Sequence, residues 1–268
     1  MNTQTIPPIL LVGLGKMGGA MLAGWRERGL AGAVAVDPAL PAAPGPEVTV
    51  VADAAAIPPG FAPAAVVLAV KPQNAAAALP HYARFAPGAV FLSIMAGRTI
   101  AGLHDLLGPP AAVVRAIPNT PAAVRQSMTV ACAGAGVSAA QWGLCDTLLA
   151  AIGTVAWVED EGLIDAVTAV SGGGPAYVFL LAELLERAAI EQGIPAELAG
   201  LMARQTVAGS GALLAASSED AAALRRAVTS PKGTTERALA VLMEEQAWPA
   251  LMSRAIAAAT ARSRELAG

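Results

Sequence analysis

The rhythm of apolar positions changes near Glu159. Before it, short continuous apolar runs recur, each closed by Gly, Pro or a charged residue. Ile9-Leu-Leu-Val12, Val34-Ala-Val36, Val48–Val51, Ala65–Val70, Val90–Ile94, Val113–Ile117, Met128–Ala131 and Val155-Ala-Trp157 have the length and composition of strands. Runs without polar alternation suit strands covered on both faces. Met17–Arg28, stopped by Gly29, reads as a helix, and so do Leu103–Leu107 and Ala139–Ile152. Strands alternating with helices predict a parallel sheet with helices on both faces. After Glu159 no strand pattern survives. Pro175 suits a first helical position, Gly193 a helix end, and Pro195 opens a helix running to about Ala216. Ala221–Val228, Thr234–Gln246 and Trp248–Ala267 complete a helical half. The segment Ala208-Gly-Ser-Gly211 lies inside one of these helices. Each Gly costs roughly 1 kcal/mol there, which close approach of another helix would offset. The expected organisation is an α/β domain over 1–160 and an all-α domain over 161–268.

Composition sharpens this picture. The chain has 268 residues, too many for one small core. Hydrophobic residues make up 55% and charged residues 14%. So little charge predicts that another subunit covers much of the surface. The net charge is −3. There is no Lys/Arg block, which argues against nucleic acid as a partner. The two cysteines, Cys132 and Cys145, lack metal-ligand spacing, and the two histidines form no cluster, so no metal site is expected. Two cysteines make no disulfide framework, which fits a reducing cytoplasm. Met1–Pro8 carries neither a basic n-region nor a long apolar core, so no signal peptide is expected. Apolar runs are broken by Gly and Pro before reaching roughly 18 residues, which argues against a membrane span.

The first strand runs into Gly13-Leu-Gly15-Lys-Met-Gly18, which opens the first helix. Three glycines in this order allow a tight turn, close backbone approach to a pyrophosphate and close helix–strand packing. The second strand ends at Asp37-Pro38. An acid there binds the two hydroxyls of an adenosine ribose and repels a 2′-phosphate. With no Arg or Lys following Asp37, the sequence favours NADH over NADPH; a plain turn is the rival reading. Val70-Lys71-Pro72, Ser93–Gly97 and Ile117-Pro-Asn-Thr-Pro121 close later strands at the rim where open α/β sheets bind ligands. Lys71 is expected beside the cofactor, with Ala96 and Asn119 facing the nicotinamide. Ordinary turns and a solvated lysine are the alternatives. Cofactor contacts are thus expected at Val12, Gly13, Leu14, Gly15, Lys16, Met17, Asp37, Pro38, Val70, Lys71, Ala96 and Asn119.

The helical half holds a second unusual run, Thr229-Ser-Pro-Lys-Gly-Thr-Thr-Glu-Arg237, just ahead of the apolar stripe Ala238, Leu239, Val241 and Leu242. Hydroxyls at a helix start cap free backbone N–H groups, and Glu236 lies where negative charge is favoured. The same N–H groups can instead receive a carboxylate. A capped helix and an anion site both fit the run. The chemistry narrows the choice. Oxidising an alcohol needs a base such as His or Lys near the reacting carbon. His81 sits in a loop-like run and His104 on a short helix before Gly108, away from the strand-end motifs. Reducing a C=N bond asks only for a nearby hydride, a fixed carboxylate and a hydrogen bond to nitrogen. The hydroxyl-rich run can supply the last two.

These residues resemble those of a known family. Val167-Thr-Ala-Val-Ser-Gly-Gly-Gly-Pro-Ala-Tyr177 is similar to the GSGPAY run of pyrroline-5-carboxylate reductases. Val228-Thr-Ser-Pro-Lys-Gly-Thr-Thr235 is similar to their SPGGTT signature. Gly13–Ala20, Val70-Lys-Pro72, Ser93–Gly97 and Arg115–Pro121 follow the same pattern, in order, so the resemblance covers nearly the whole chain. It implies a Rossmann-type N-terminal α/β domain and an all-α C-terminal dimerisation domain. It also implies NAD(P)H-dependent reduction of 1-pyrroline-5-carboxylate to L-proline, the last step of proline biosynthesis, in a homodimer and often a decamer of five dimers. By motif matching, Thr235 is the catalytic residue that hydrogen-bonds the ring nitrogen. Ser230, Gly233 and Thr234 line the carboxylate pocket, Lys232 is a candidate substrate contact beside them, and Glu161 matches an acidic residue near it. Because such dimers interlock, the substrate loop can serve the neighbouring subunit's cofactor.

Three positions depart from the family pattern. Lys232 stands where the signature has Gly, either as an added charge for the substrate or as a solvent-facing side chain. Asp37 stands where many NADPH-using relatives have a small hydroxyl residue. Ser218 falls near an acidic position of some relatives, and that role is not carried over. The rival readings are a β-hydroxyacid dehydrogenase, another imine reductase, and a dinucleotide sensor without chemistry. The first uses a Lys on the helix after its second glycine motif, and the stretch Pro175–Gln192 has none.

Overall fold

The computed structural model describes residues 5–40, 42–109 and 111–267. The reading of Met1–Pro8 falls in part, at Met1–Gln4, outside the described residues. The sheet is formed by β1 (Ile9–Val12), β2 (Ala33–Val36), β3 (Val48–Val51), β4 (Ala65–Leu68), β5 (Val90–Ser93), β6 (Ala112–Ile117), β7 (Ser127–Ala133) and β8 (Gly153–Val158). The helices are α1 (Lys16–Glu27), α2 (Ala75–Ala78), α3 (Ile100–Leu107), α4 (Ala139–Ala150), α5 (Ile164–Val167), α6 (Gly174–Glu191), α7 (Ala196–Ala216), α8 (Ala221–Ala227), α9 (Thr234–Leu242) and α10 (Trp248–Ala267). The chain forms two compact units. One runs up to Gly172 and takes back the end of the chain from Ala259; the other is Gly173–Ala258.

The strand order is β3-β2-β1-β4-β5-β6-β7-β8. β1 pairs in parallel with both β2 and β4, and β4 with β5, so Val12, Val36, Leu68 and Ser93 end abreast on one rim. The apolar runs are continuous because both faces are covered. Ile9 and Leu11 turn to a core that includes Trp25 of α1 and Leu148 of α4, while Leu10 and Val12 turn to one that includes Phe91 and Leu103 of α3. The Trp25 indole donates to the Leu148 carbonyl at 2.9 Å, so this buried side chain leaves no polar atom unmet.

The expected parallel sheet is interrupted once: β7 runs antiparallel to β6. The link 118–126 is too short for a crossover helix, which takes a dozen or more residues. It turns instead through a 3₁₀ segment, Thr120–Val124, and Arg125 in the left-handed region at φ 62°. The Arg125 guanidinium grips both oxygens of Glu27 at the end of α1, at 2.8 and 2.6 Å. His81 lies in the 3₁₀ helix Leu79–Phe85 and not in a loop.

Past β8, a 3₁₀ turn (Glu161–Leu163) and α5 lead into a π-helical segment, Thr168–Gly172, that continues as α6. Pro175 has no N–H for the Ser171 carbonyl four residues back, and the Asn119 amide donates to that carbonyl at 2.9 Å. Thr168 and Ser171 turn their hydroxyls back to the carbonyls of Ile164 and Val167, a habit that strains helices. The helical run Glu161–Glu191 is long and apolar enough to cross a membrane by length and composition. Within the helical unit only Ala199 and Ala203 are buried among the described residues. Phe179 and Leu201 are each 65% exposed.

Candidate active site

The carboxyl rim of the parallel strands carries the nucleotide loop. Gly13, at φ 100°, presses on the next loop: a Cβ there would lie 2.8 Å from the Ala69 carbonyl oxygen and 3.1 Å from the Val70 nitrogen. A Cβ on Gly18 would lie 2.2 Å from the Gly13 carbonyl oxygen, so helix and loop touch as backbones. Gly15, the N-cap of α1, has open space where its Cβ would be, and α1 has neither a capping side chain nor an acid in its first turn. Unblocked backbone N–H groups at a helix start fit a pyrophosphate. Lys16 is exposed beside them, and Met17 is half-buried.

Asp37 is held to this loop. Its Oδ2 accepts the Leu14 N–H at 2.9 Å and its Oδ1 accepts the Ala39 N–H at 2.9 Å. Each carboxylate oxygen has a further lone pair free for a ribose hydroxyl. Pro38 follows, exposed. Val70 and the exposed Lys71 close the loop after β4, where Lys71 is the N-cap of the turn Pro72–Asn74. Ala96 is exposed in the loop after β5. The structure thus brings the predicted residues Val12–Met17, Asp37 and Val70 into one continuous rim. Asn119 is almost buried. It donates to Ser171, and its Oδ1 accepts the Met128 N–H at 3.1 Å, so its amide joins β7 to the π segment.

Glu161 belongs to the same unit. One of its oxygens accepts both the Ile100 N–H at the start of α3 and Nη1 of the buried Arg115, each at 2.8 Å. Arg115 Nη2 lies 3.9 Å from Asp165, whose carboxylate accepts the Ser263 hydroxyl at 2.7 Å. Arg115 Nε and Nη2 have no hydrogen-bond partner among the described residues. Burial above all, aided by the nearby Glu161, pushes the Cys132 thiol up, and burial pushes Cys145 to about 12. Both stay neutral thiols at physiological pH and offer no nucleophile.

In the helical unit, α9 starts at Thr234 with Gly233 as N-cap, and no side chain caps it. The sequence allowed Ser and Thr as caps, but the hydroxyls take other paths. Thr229 donates to the Arg225 carbonyl. Ser230, Thr234 and Thr235 have no side-chain hydrogen bond among the described residues. Glu236 reaches back to the Lys232 N–H at 2.8 Å. Lys232 is in the left-handed region at φ 62°. That conformation is easy for Gly and strained for Lys, which explains physically why a glycine suits this place in the signature.

Sequence reasoning missed Arg98 and the role of Arg115. Arg98 directly follows the Ser93–Gly97 run, so its place on the rim was the available signal. Arg115 is a charged residue inside a strand otherwise apolar, and that was its clue.

A glycine loop opening a helix at the rim of a doubly wound sheet, with the Asp37 carboxylate held to that loop, defines an NAD(P)-dependent oxidoreductase. Residues 161–266 match the family pattern described as pyrroline-5-carboxylate reductase dimerisation. A pyrroline-5-carboxylate reductase of Pseudomonas aeruginosa is 44% identical over 203 residues, covering 75% of this chain and 74% of its own. A structure of a pyrroline-5-carboxylate reductase from Coxiella burnetii has a TM-score of 0.87 at 30% identity, covering 97% of this chain and 98% of its own. A Plasmodium falciparum pyrroline carboxylate reductase with NADP bound shares the fold, with a TM-score of 0.82 at 24% identity over 97% of this chain and 98% of its own. The chain belongs to the pyrroline-5-carboxylate reductase family. Its helical half is a dimerisation domain.

Proposed function

We propose that the chain reduces 1-pyrroline-5-carboxylate to L-proline, completing proline biosynthesis in the cytoplasm. Bound NAD(P)H supplies the hydride that C5 of the ring accepts. The observation that carries the reading is the uncapped start of α9, with the hydroxyls of Ser230, Thr234 and Thr235 unspent. The N–H groups there would receive the substrate carboxylate, with Ser230, Lys232, Gly233 and Thr234 around it. Thr235 would hold the ring nitrogen as its charge changes, a contact that counts most in the transition state. Glu161 would act near the pocket through the groups it holds at Arg115 and Ile100. The cofactor would lie along Val12, Gly13, Leu14, Gly15, Lys16 and Met17, with Pro38, Val70, Lys71, Ala96 and Asn119 beside it.

Asp37 supports NADH as the preferred form, because its carboxylate stands where a 2′-phosphate would bring like charge. The proposed division between dinucleotide-binding and dimerisation domains is at residues 160 and 161. The assembly is a homodimer, without nucleic-acid or membrane partners, and light scattering tells it from a decamer of five dimers. The test is an assay of purified protein with the cyclic imine and each reduced nicotinamide in turn, following absorbance loss and proline formation. Turnover faster with NADH supports the reading. Nicotinamide binding without turnover would return the chain to the sensor class.

A further inference from the structure

Arg98 points its guanidinium across the rim to a neighbouring loop. Its Nε and Nη2 both donate to the Pro72 carbonyl, at 3.2 and 2.8 Å. The same carbonyl accepts the Ala75 N–H that closes the turn after β4. On its other side, the β4 loop is fixed to the nucleotide loop: Ala69 donates to the Val12 carbonyl at 2.8 Å, and Gly13 lies against Ala69 and Val70. Val70 and Lys71 are therefore wedged between the glycine loop and the Arg98 clasp.

The loop that carries Arg98 is itself fixed on both flanks. Gly97 is at φ 69°, and a Cβ there would meet Leu266 of α10 at 3.1 Å. Thr99 caps α3 by accepting the Gly102 N–H, and Glu161 accepts the Ile100 N–H. Arg98 is half-buried, and its two donors meet one acceptor, so the clasp is charge-assisted and geometrically specific. Among the described residues its two hydrogen bonds to Pro72 are the only side-chain hydrogen bonds joining the β4 loop to the β5 loop.

Building on the proposed reductase reading, we infer that Arg98 is a positioning residue for the reduced dinucleotide. It sets the gap between the turn at Val70 and Lys71, expected beside the cofactor, and the turn at Ala96, expected to face the nicotinamide. It touches neither cofactor nor substrate; it acts through the Pro72 carbonyl. Removing it frees the β4 turn on one side while the sheet beneath is unchanged.

The experiment uses the full-length protein and the variants Arg98→Ala and Arg98→Lys. NADH and NADPH are titrated by fluorescence without substrate, thermal melts are recorded, and KM is measured separately for cofactor and cyclic imine. For Arg98→Ala, the dissociation constant and the KM of the cofactor should both rise about tenfold, the loss of one charge-assisted contact. KM for the imine and the melting temperature should stay near wild type. Arg98→Lys keeps a cation that can reach Pro72 and should fall between. Cofactor binding within about twofold of wild type in both variants overturns the inference. So does a loss shared by both KM values together with a lowered melting temperature in the Lys variant. If the Ala variant does not fold, the Lys variant decides by the same readouts. Wild-type turnover is measured alongside: its absence would strike the proposed reaction, while the cofactor titration still judges Arg98.

Discussion

The sheet unit and the helical unit are made of similar apolar residues and treat them differently. In the sheet unit, Leu10, Leu11, Val67, Phe91 and Val114 are all fully buried. Its strands find cover on both faces from helices of their own chain. In the helical unit, long helices rich in Leu, Val and Met leave nearly every side chain in contact with solvent, and only two alanines are buried among the described residues. A helix apolar around most of its girth needs neighbours on several sides, and one chain supplies α6 with too few. The sheet unit is finished by local covalent order, through alternating strands and helices. The helical unit is finished by symmetry, through a second copy, as its family membership requires.

Breaking each half by its own mechanism tests this contrast. The largest effect is expected for Gly18→Ala. The new methyl would stand 2.2 Å from the Gly13 carbonyl oxygen. Overpacking against backbone should cost about 3 kcal/mol or more, visible as loss of soluble protein or a steep drop in melting temperature. Next, Phe179→Glu combined with Leu201→Glu puts charges on the exposed apolar helices. In a twofold dimer each change counts twice, and association should weaken by about 3–5 kcal/mol. Gel filtration should show monomer, and circular dichroism should keep the strand signal; a dimer of unchanged strength would place the subunit contact elsewhere.

Thr235→Ala sharpens the comparison at the level of chemistry. It should lower kcat for imine reduction roughly 100-fold while NADH titration is nearly unchanged, since rate and cofactor binding are assigned to different units. Equal losses in both would undo that division. Asp37→Ser should move the NADPH-to-NADH ratio of kcat/KM toward NADPH by about tenfold. Because Asp37 also holds the Leu14 N–H, NADH affinity should fall too.

The smallest effect concerns acid. Arg125 holds the Glu27 carboxyl below its ordinary value of 4.5, chiefly by hydrogen bonding, and Arg26 does the same for Glu47. A carboxyl lowered on folding stabilises above its unfolded value, and that stability is lost as pH falls through the lower folded value. Melts of the sheet unit should weaken below about pH 4.5. Arg125→Ala should flatten that dependence slightly, since the Glu27 carboxyl it holds is solvent-exposed.

Much of this was legible in the sequence because it is local. Every predicted strand exists, as a strand's apolar run and its closing Gly, Pro or Asp are neighbours in the chain. The start of α10 at Trp248 and the Pro195 boundary were read correctly for the same reason. The reversal of β7 was not read, although the shortness of 118–126 was its signal. The fit of α1 to the glycine loop was legible, because glycine spacing encodes backbone approach directly. The Arg115–Glu161 and Arg98–Pro72 pairings were not, since contacts between residues 46 and 26 positions apart leave no periodic trace. A helix opening at Pro175 was expected and begins one residue earlier, at Gly174, but the π segment before it was not, because it depends on how Asn119 answers a proline.

The Asn119 side chain, after β6, serves a carbonyl orphaned by Pro175, so the two positions should be inherited as one unit though they stand 56 positions apart in the sequence. A lineage that lost the proline would regain a helical donor and release the asparagine from its duty. One that lost the asparagine first would carry a naked carbonyl in the π segment. Across related genes the pair should be kept together or abandoned together, with the proline abandoned first.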